Sequence, residues 1–245
     1  MSDTAAHLVD EVLPHVPIRQ WVLTVPHALR YKMAFDPALT GLVLRWFVRA
    51  VSAWLRRRAR RVGIVGALKT GAVTVIQRFD SALGLNVHFH SLFFDGVYAR
   101  DGRGRVVFHP VPAPTDREVA AVAERVFRAV TLGLEGGQDD LASDEPALAV
   151  LSEASVRRLV ATGPRSGLPM RRLGCVVLRP LERAITGRRC AQVEGFNLHA
   201  NVRGAANDRT GLETLCRYLG RPPLSADRLS ETSDGDVLLR LKRLV

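Results

Sequence analysis

Two histidines separated by one residue, His88 and His90, are the clearest chemical signal in the sequence. They lie in a short apolar and aromatic run that ends at Asp95-Gly96, a pattern that predicts a strand entering a tight turn. Because side chains alternate along a strand, both imidazoles should emerge on one face, about 7 Å apart. Histidine is the commonest metal ligand, so the pair could converge on one divalent cation or on one phosphate. The alternative is two polar residues on the wet face of a half-buried strand.

Gln77 precedes the histidine pair on a second predicted strand, Gly71 to Phe79. A hairpin between the two strands would bring the side-chain carbonyl of Gln77 toward the histidines. A His/His/Gln set suits a hard or borderline cation such as Mg²⁺ or Mn²⁺, and these cations also serve phosphate chemistry. Asp95 is a rival ligand, but the Asp-Gly dipeptide favours a role in shaping the turn.

Tyr218 lies near the end of a predicted helix, Gly211 to Leu219, with Arg217 and Arg221 on either side of it. A tyrosine in this position commonly anchors a helix to the core. The arginines would instead stabilise a phenolate and hold a phosphate beside it, and Arg221, one turn on, should be the better phosphate clamp. A phenol, with its free pKa of about 10, is a poor nucleophile. Attack would therefore need a cation next to the electrophile, which the histidine site would supply.

The charge of the chain indicates a polyanionic partner. The 245 residues are 47% hydrophobic and carry a net charge of +11, as in a globular protein that binds nucleic acid. A run of arginines ends the helix predicted to begin at Asp36-Pro37. A solvated helix end is the alternative, but five arginines in six residues exceed that need and favour phosphate contact. The candidate DNA contacts in this run are Arg56, Arg57, Arg58, Arg60 and Arg61.

Cysteine usage and hydropathy indicate a cytoplasmic protein that does not contact the membrane. The three cysteines have no CxxC spacing, which argues against a disulfide framework or a structural zinc site. The longest apolar run, Gly41 to Leu55, is broken by Arg45 and Arg49, and no export signal precedes it.

The order of predicted elements favours an α+β fold with an antiparallel sheet. We expect a central sheet with helices on one face and the histidine strand in the middle. Phe89 should then be covered by the helix that carries Trp46 and Trp54, or by its equivalent. The other predicted elements are a helix over 4–13, a strand over 18–25, a hairpin over 97–108, a helix from the capping box Thr115–Glu118 to Leu134, a helix over 153–161, and strands over 196–202 and 234–242.

Four stretches, in this order along the chain, resemble the HUH transposases of rolling-circle insertion sequences, the IS-ninety-one-like family. HUH denotes two histidines around one hydrophobic residue. The resemblance covers nearly the whole chain from about residue 4 onward. The four stretches are Val16-Pro17-Ile18-Arg19-Gln20-Trp21-Val22-Leu23 with Pro26-His27; 73–97 with Gln77-Arg78-Phe79, His88-Phe89-His90 and Phe94-Asp95-Gly96; Phe196-Asn197-Leu198-His199-Ala200; and Leu212 through Tyr218 to Leu224.

The resemblance implies an HUH (Rep-like) domain with a central antiparallel sheet and flanking helices. Residues 17–245 would form this domain, residues 1–16 a helical lead-in, and residues 135–170 approximately a surface excursion. His88 and His90 would bind the catalytic metal, and Tyr218 would attack a phosphate of single-stranded DNA at the insertion-sequence end or the target. The product would be a 5′-phosphotyrosyl link and a free 3′-OH.

The sequence departs from the family pattern in two ways. Members often carry two tyrosines four residues apart, but Thr214 occupies the earlier position, which favours a single-tyrosine scheme. The zinc-binding module and the C-terminal segment usual in relatives are not present, so a truncated copy is expected. The alternative function is accordingly a catalytically inactive DNA-binding remnant of such a transposase.

Overall fold

The computed structural model describes residues 2–80, 84–136, 183–220 and 228–239. The described helices are α1 (Ser2–His7), which continues as a π-helical stretch (Leu8–Val12), α2 (His27–Phe35), α3 (Pro37–Arg61), α4 (Asp116–Gly136) and α5 (Arg209–Leu219). The described strands are β1 (Ile18–Thr24), β2 (Ala72–Phe79), β3 (Leu85–Phe94), β4 (Gly96–Arg100), β5 (Val106–Pro110), β6 (Arg183–Gly187), β7 (Cys190–Val193), β8 (Phe196–His199), β9 (Arg203–Gly204), β10 (Leu229–Glu231) and β11 (Val237–Leu239).

A large antiparallel sheet forms the centre of the α+β fold, as the sequence predicts. In the described part of the chain it has seven strands in the order β2-β3-β1-β8-β7-β6, with β9 also paired to β1. The histidine strand β3 lies between β2 and β1, so the predictions of a central histidine strand and of a β2–β3 hairpin are confirmed. The hairpin predicted over 97–108 is also confirmed as β4–β5.

One face of the sheet buries aromatic residues against α2, α3 and α4. Phe89 of β3 is covered by α3, as predicted, but the contacting ring is Phe47, whose centroid lies 6.3 Å from that of Phe89. Trp54 packs on Trp21 of β1 at 5.5 Å. The other predicted tryptophan, Trp46, is half-buried and lies against α4 instead. A Cβ at Gly133 would stand 2.1 Å from the Trp46 ring, so this close approach requires glycine.

Local capping explains where the long helices begin. Asp36 accepts a hydrogen bond from the backbone N–H of Leu39, and Pro37 occupies the first helical position of α3. The predicted capping box begins α4, because Thr115 and Glu118 exchange hydrogen bonds. By length and composition α3 could cross a membrane. Half of its most apolar window is buried inside the protein, however, and the core helix of a soluble protein passes the same test.

The prediction that helices cover only one face is wrong. Helix α1, its π-helical continuation and α5 pack on the opposite face, over a second apolar cluster that includes Ile18 and Leu92. Leu92 is two residues from His90 and therefore shares its face. The face of the sheet that carries His88 and His90, here called the histidine face, is thus polar at one end of β3 and apolar at the other. The apolar end is buried by the helices that pack on it.

Two other expected elements differ from the structure. The strand predicted over 234–242 is the second half of a short hairpin, β10–β11, which turns at Asp234-Gly235 and is separate from the large sheet. The strand predicted over 196–202 ends at His199. The surface excursion over 135–170 and the helix over 153–161 lie almost wholly outside the described residues.

A buried ion pair joins β1 to the turn after β3. The guanidinium of Arg19 donates from Nε and Nη2 to the two carboxylate oxygens of Asp95, at 3.0 and 2.8 Å, and both side chains are almost fully buried. Nη1 of Arg19 donates to the carbonyl of Ala200, and Arg203 adds a third donor to Asp95. The carboxylate of Asp95 is therefore held by arginines of β1 and β9.

Replacing Asp95 with alanine should destabilise the fold strongly, because it leaves the Arg19 charge buried and unpaired. We expect a loss of about 3–5 kcal/mol in the free energy of unfolding, measured by urea denaturation. The control is Arg203→Ala, which removes a half-exposed partner of the same carboxylate and should cost about 1 kcal/mol or less. Equal losses in the two variants would contradict the structural role assigned to the Arg19 pair.

Candidate active site

His88 and His90 lie on the same face of β3, as the sequence predicts, with their ring centroids 4.9 Å apart. Each histidine belongs to a row of cross-strand partners. His88 lies between Gln77 of β2 and Thr24 of β1, and His90 lies between two valines. His88 is half-buried, whereas His90 is only 7% exposed. The two imidazoles therefore occupy the boundary between the polar and the apolar end of this face.

The tautomer of His88 follows from its hydrogen bond. Its Nδ1 lies 2.5 Å from the backbone carbonyl oxygen of Asn86. A carbonyl oxygen can only accept, so Nδ1 carries the proton and Nε2 keeps its lone pair. A histidine that binds a metal usually donates its other ring N–H in this way.

The partner of His90 is Gln20, a buried residue of β1. The amide Nε2 of Gln20 lies 2.9 Å from Nδ1 of His90. An amide nitrogen only donates, so in this orientation Nδ1 accepts and Nε2 carries the ring proton. A rotation of the amide by about 180° would present its oxygen to Nδ1 instead, and Nε2 would then be free to bind a cation. Gln20 thus sets which nitrogen of His90 is available.

Burial keeps His90 uncharged. Desolvation, with a smaller contribution from the neighbouring His88, lowers the pKa of His90 to about 4. The ring is consequently neutral at pH 7, the form that a metal ligand requires.

Gln77 joins the histidines to helix α5. Gln77 is the direct cross-strand partner of His88, and its amide Nε2 donates to the carbonyl of Leu219 at 3.1 Å. Because the nitrogen is engaged by Leu219, the amide oxygen is the atom left for a cation. The helix that carries Tyr218 is in this way tied to the strand that carries the third candidate ligand.

Tyr218 faces the histidine pair. Its ring centroid lies 6.2 Å from that of His90, in an edge-to-face arrangement, and its side chain is 54% exposed. The orientation follows from the helix, because Leu212, Cys216 and Leu219 form the buried side of α5 and leave Tyr218 beside the sheet. The structure therefore brings the ring of Tyr218 next to His90.

The described arginines that were predicted to contact DNA lie in two different places. Arg56, Arg57, Arg58, Arg60 and Arg61 end α3, which packs on the sheet face opposite the histidines. Arg58 and Arg61 pair with Glu118 of α4. Arg217 is exposed and donates to Glu213 one turn earlier. Arg221 lies outside the described residues. The α3 run is therefore not brought to the histidine pair.

Two imidazoles and one amide oxygen could hold a divalent cation here. The described residues contain no group of three or more His, Cys, Asp or Glu side chains suited to a metal. The third ligand would accordingly be the amide oxygen of Gln77, with water or phosphate oxygens completing the shell. Imidazole and oxygen donors fit Mn²⁺ or Mg²⁺ when phosphate supplies the remaining oxygens. With the Gln20 amide turned so that Nε2 of His90 keeps its lone pair, the residues present fit the cation that the sequence led us to expect.

Gln20 is the site residue that sequence reasoning missed. Its contact with His90 joins positions 70 residues apart, and no local spacing predicts such a contact. The available signal was a glutamine on the histidine face of a strand that is otherwise mostly apolar. A buried glutamine needs a hydrogen-bond partner, and β1 turns out to be the neighbour of β3.

A family model described as "Putative transposase" matches residues 71–244, which is most of the chain. The match begins next to β2 and includes the histidine pair and Tyr218, whereas β1 and the first three helices precede it. A comparison with curated proteins finds no match, and neither does a comparison with solved structures. The family match defines the class as proteins that process DNA in transposition. The chain belongs to this transposase family.

The lowered pKa of His90 should make the metal-free protein less stable in mild acid. The unfolded histidine takes up its proton near the ordinary value of about 6.5, whereas the folded one does so only at about 4. The contribution of His90 is therefore fully present above pH 6.5 and is lost as the pH falls toward 4, by about 3 kcal/mol in all. Urea unfolding between pH 7 and pH 4 checks this, and NMR titration of the ring gives its pKa directly. A His90→Gln variant that keeps the same pH slope would contradict it.

Proposed function

We propose that this transposase is an HUH-type, metal-dependent single-strand DNA endonuclease and strand transferase of the rolling-circle kind. Its nucleophile is Tyr218, and its metal ligands are His88, His90 and Gln77. The observation that carries the proposal is the position of the exposed Tyr218 ring, whose centroid lies 6.2 Å from that of His90. Such a transfer needs a phenol as nucleophile, with two imidazoles and an amide oxygen that bind a cation next to the same phosphate.

The chemical step exchanges one phosphate ester for another. The phenolic oxygen of Tyr218 forms a bond to phosphorus, and the bond from phosphorus to the 3′-oxygen of the preceding nucleotide breaks. The phenol loses its proton, for which water is available because the side chain is half-exposed. The leaving 3′-oxygen takes up a proton and becomes the free 3′-OH. The enzyme keeps the downstream strand as a 5′-phosphotyrosine, which a second 3′-OH can later attack.

The cation held by His88, His90 and Gln77, Mg²⁺ or Mn²⁺, would polarise the phosphate oxygens and so make the phosphorus a better electrophile. The chain's own residues position the reactants. Gln20 and Asn86 orient the two imidazoles through Nδ1, and Gln77 fixes the end of α5 through the Leu219 carbonyl. Orientation of this kind lets a weak nucleophile such as a phenol react.

A single nucleophile suffices for this scheme. Thr214 lies one helical turn before Tyr218, where a second tyrosine would stand, and its hydroxyl donates to the carbonyl of Thr210. A threonine hydroxyl needs an adjacent base to act as a nucleophile, and the proton of this one is engaged by a backbone carbonyl. We therefore propose one phosphotyrosine per cycle, with single-stranded DNA from the insertion-sequence end and from the target as substrates.

A covalent adduct tests the nucleophile. A single-stranded oligonucleotide from an insertion-sequence end, labelled at its 3′ end, is incubated with the protein and Mn²⁺. The label should migrate with the protein after denaturation, because the downstream strand stays on Tyr218. The same oligonucleotide labelled at its 5′ end should release a shorter fragment with a free 3′-OH. Tyr218→Phe should abolish both products.

Tyr98→Phe is the matched control, since it removes another hydroxyl from a half-buried tyrosine of β4. It should form the wild-type amount of adduct. An adduct that persists in Tyr218→Phe would show that the nucleophile is assigned wrongly. Salt-dependent DNA binding with no adduct at any Mn²⁺ concentration would identify the chain as a DNA-binding remnant instead.

Replacing Gln20 tests the metal site without relying on activity. Gln20→Leu keeps the side-chain volume but leaves Nδ1 of His90 without a partner, so the ring loses its orientation. We expect the affinity for Mn²⁺ to fall about 10- to 100-fold, measured by calorimetry or by the EPR signal of free Mn²⁺. A Gln192→Leu variant, on a strand that does not adjoin β3, should bind Mn²⁺ as the wild type does. Unchanged affinity in Gln20→Leu would exclude the positioning role.

A further inference from the structure

Helix α2 exposes three rings in a single line. His27, Tyr31 and Phe35 are four residues apart, so they occupy adjacent turns on one side of the helix. Tyr31 is 50% exposed and Phe35 is 73% exposed, with ring centroids 5.0 Å apart. The opposite side of the helix is fully buried through Leu29 and Met33. The line of rings, here called the ring stripe (His27, Tyr31, Phe35), is therefore not required for packing α2 on the sheet.

The ring stripe runs along the end of the sheet that carries His88. Gln77, His88, Thr24 and Asn197 form one cross-strand row at that end. Both ends of α2 are tied to neighbours of this row. Pro26, just before the helix, packs against Gly195 at the turn into β8.

At the other end of α2, the carbonyl of Ala34 accepts a hydrogen bond from Arg78, the residue after Gln77. Because Gln77 and Arg78 are successive residues of β2, they point to opposite faces of the sheet. Arg78 therefore lies on the face that α2 covers and Gln77 on the histidine face, so a strand of DNA bound at both would pass around the end of β2.

The chemistry around the stripe is that of a single-stranded nucleic-acid surface. Arg78 is exposed and uses one described hydrogen bond, which leaves further N–H donors for a phosphate. Phe79, on the same strand end, is 42% exposed. Successive rings of the stripe rise by about 6 Å along the helix axis, close to the spacing of nucleotides in an extended strand. The net charge of +11 supplies the attraction to the phosphates.

We propose that the ring stripe is a base-stacking platform for unpaired nucleotides next to the phosphate that Tyr218 attacks. This inference rests on the proposed single-stranded DNA substrate and extends it to a second contact surface. Each ring accepts one base by its π-face, so the platform is tolerant of sequence. Arg78 holds the backbone of the same short stretch.

The test separates bases from phosphates. Tyr218→Phe protein, which does not cleave, is titrated by fluorescence anisotropy with a single-stranded oligonucleotide and with an abasic oligonucleotide of the same length and charge. The protein should bind the base-containing strand at least about fivefold more tightly. Adding Tyr31→Ala and Phe35→Ala should bring this ratio close to one while the affinity for the abasic strand stays the same. Arg78→Gln should weaken both complexes equally.

Controls keep the result interpretable. Tyr31→Phe with Phe35→Trp retains two rings and should restore the ratio. Leu132→Ala removes a side chain on α4 that is 66% exposed and should leave the ratio unchanged. If Tyr31→Ala and Phe35→Ala leave the ratio of the two affinities unchanged, the platform is overturned. A shift of these variants from oligomer to monomer in size-exclusion chromatography overturns it as well, because the ring stripe would then be an interface between copies.

The proposed function and the platform fail differently. If the wild-type chain forms the Tyr218 adduct and the alanine variants keep the base preference, only the platform is wrong. If neither oligonucleotide binds, the single-stranded substrate itself is wrong, and the platform is overturned with it.

Discussion

The buried pair of Arg19 and Asp95 is the interaction on which the rest of the site depends. It fixes β1 against β3 at one end of both strands, and the next residue, Gln20, reaches His90 only in that register. A slip of one residue would turn Gln20 to the core face and bring Trp21 under the histidines, because side chains alternate. The ion pair costs desolvation free energy, which its three described donors offset.

Most of the fold could be predicted from local patterns. The hairpins, the capped helices α3 and α4, and the central place of the histidine strand follow from alternation, turn residues and caps, which act over a few residues. The number of faces that carry helices could not be predicted, because it depends on which residues of several distant strands lie side by side. Ile18 and Leu92 create the second apolar cluster only when β1 and β3 pair in the observed register.

In the candidate site, too, local patterns reveal some residues, whereas contacts between distant parts of the chain bring in another. His88, His90 and Gln77 were found because one hairpin brings them together. Tyr218 was found because arginines flank it near a helix end, and the family resemblance then pointed to the same residue. Gln20 was missed because its contact spans two strands that are not consecutive in the chain. The arginine run at the end of α3 is a feature that the sequence shows clearly but whose position in the fold it does not show. Its composition predicts contact with DNA phosphates, and this stays a prediction. Composition does not show that the apolar stripe of α3 holds the run on the face opposite the histidines.

The exposed Arg78 near the end of β2 has a consequence for association between molecules. The pairing of β2 with β3 is irregular here, but the extra residue lies on β3, because Gln77 to Phe79 spans two steps and His88 to Leu85 spans three. In the described part of the sheet β2 is the outer strand, and its free backbone groups form a template to which another chain could add. An exposed charged side chain is one device by which natural sheets blunt such an edge. Arg78 therefore protects the protein against edge-to-edge aggregation at the very strand that presents Gln77 to the histidines.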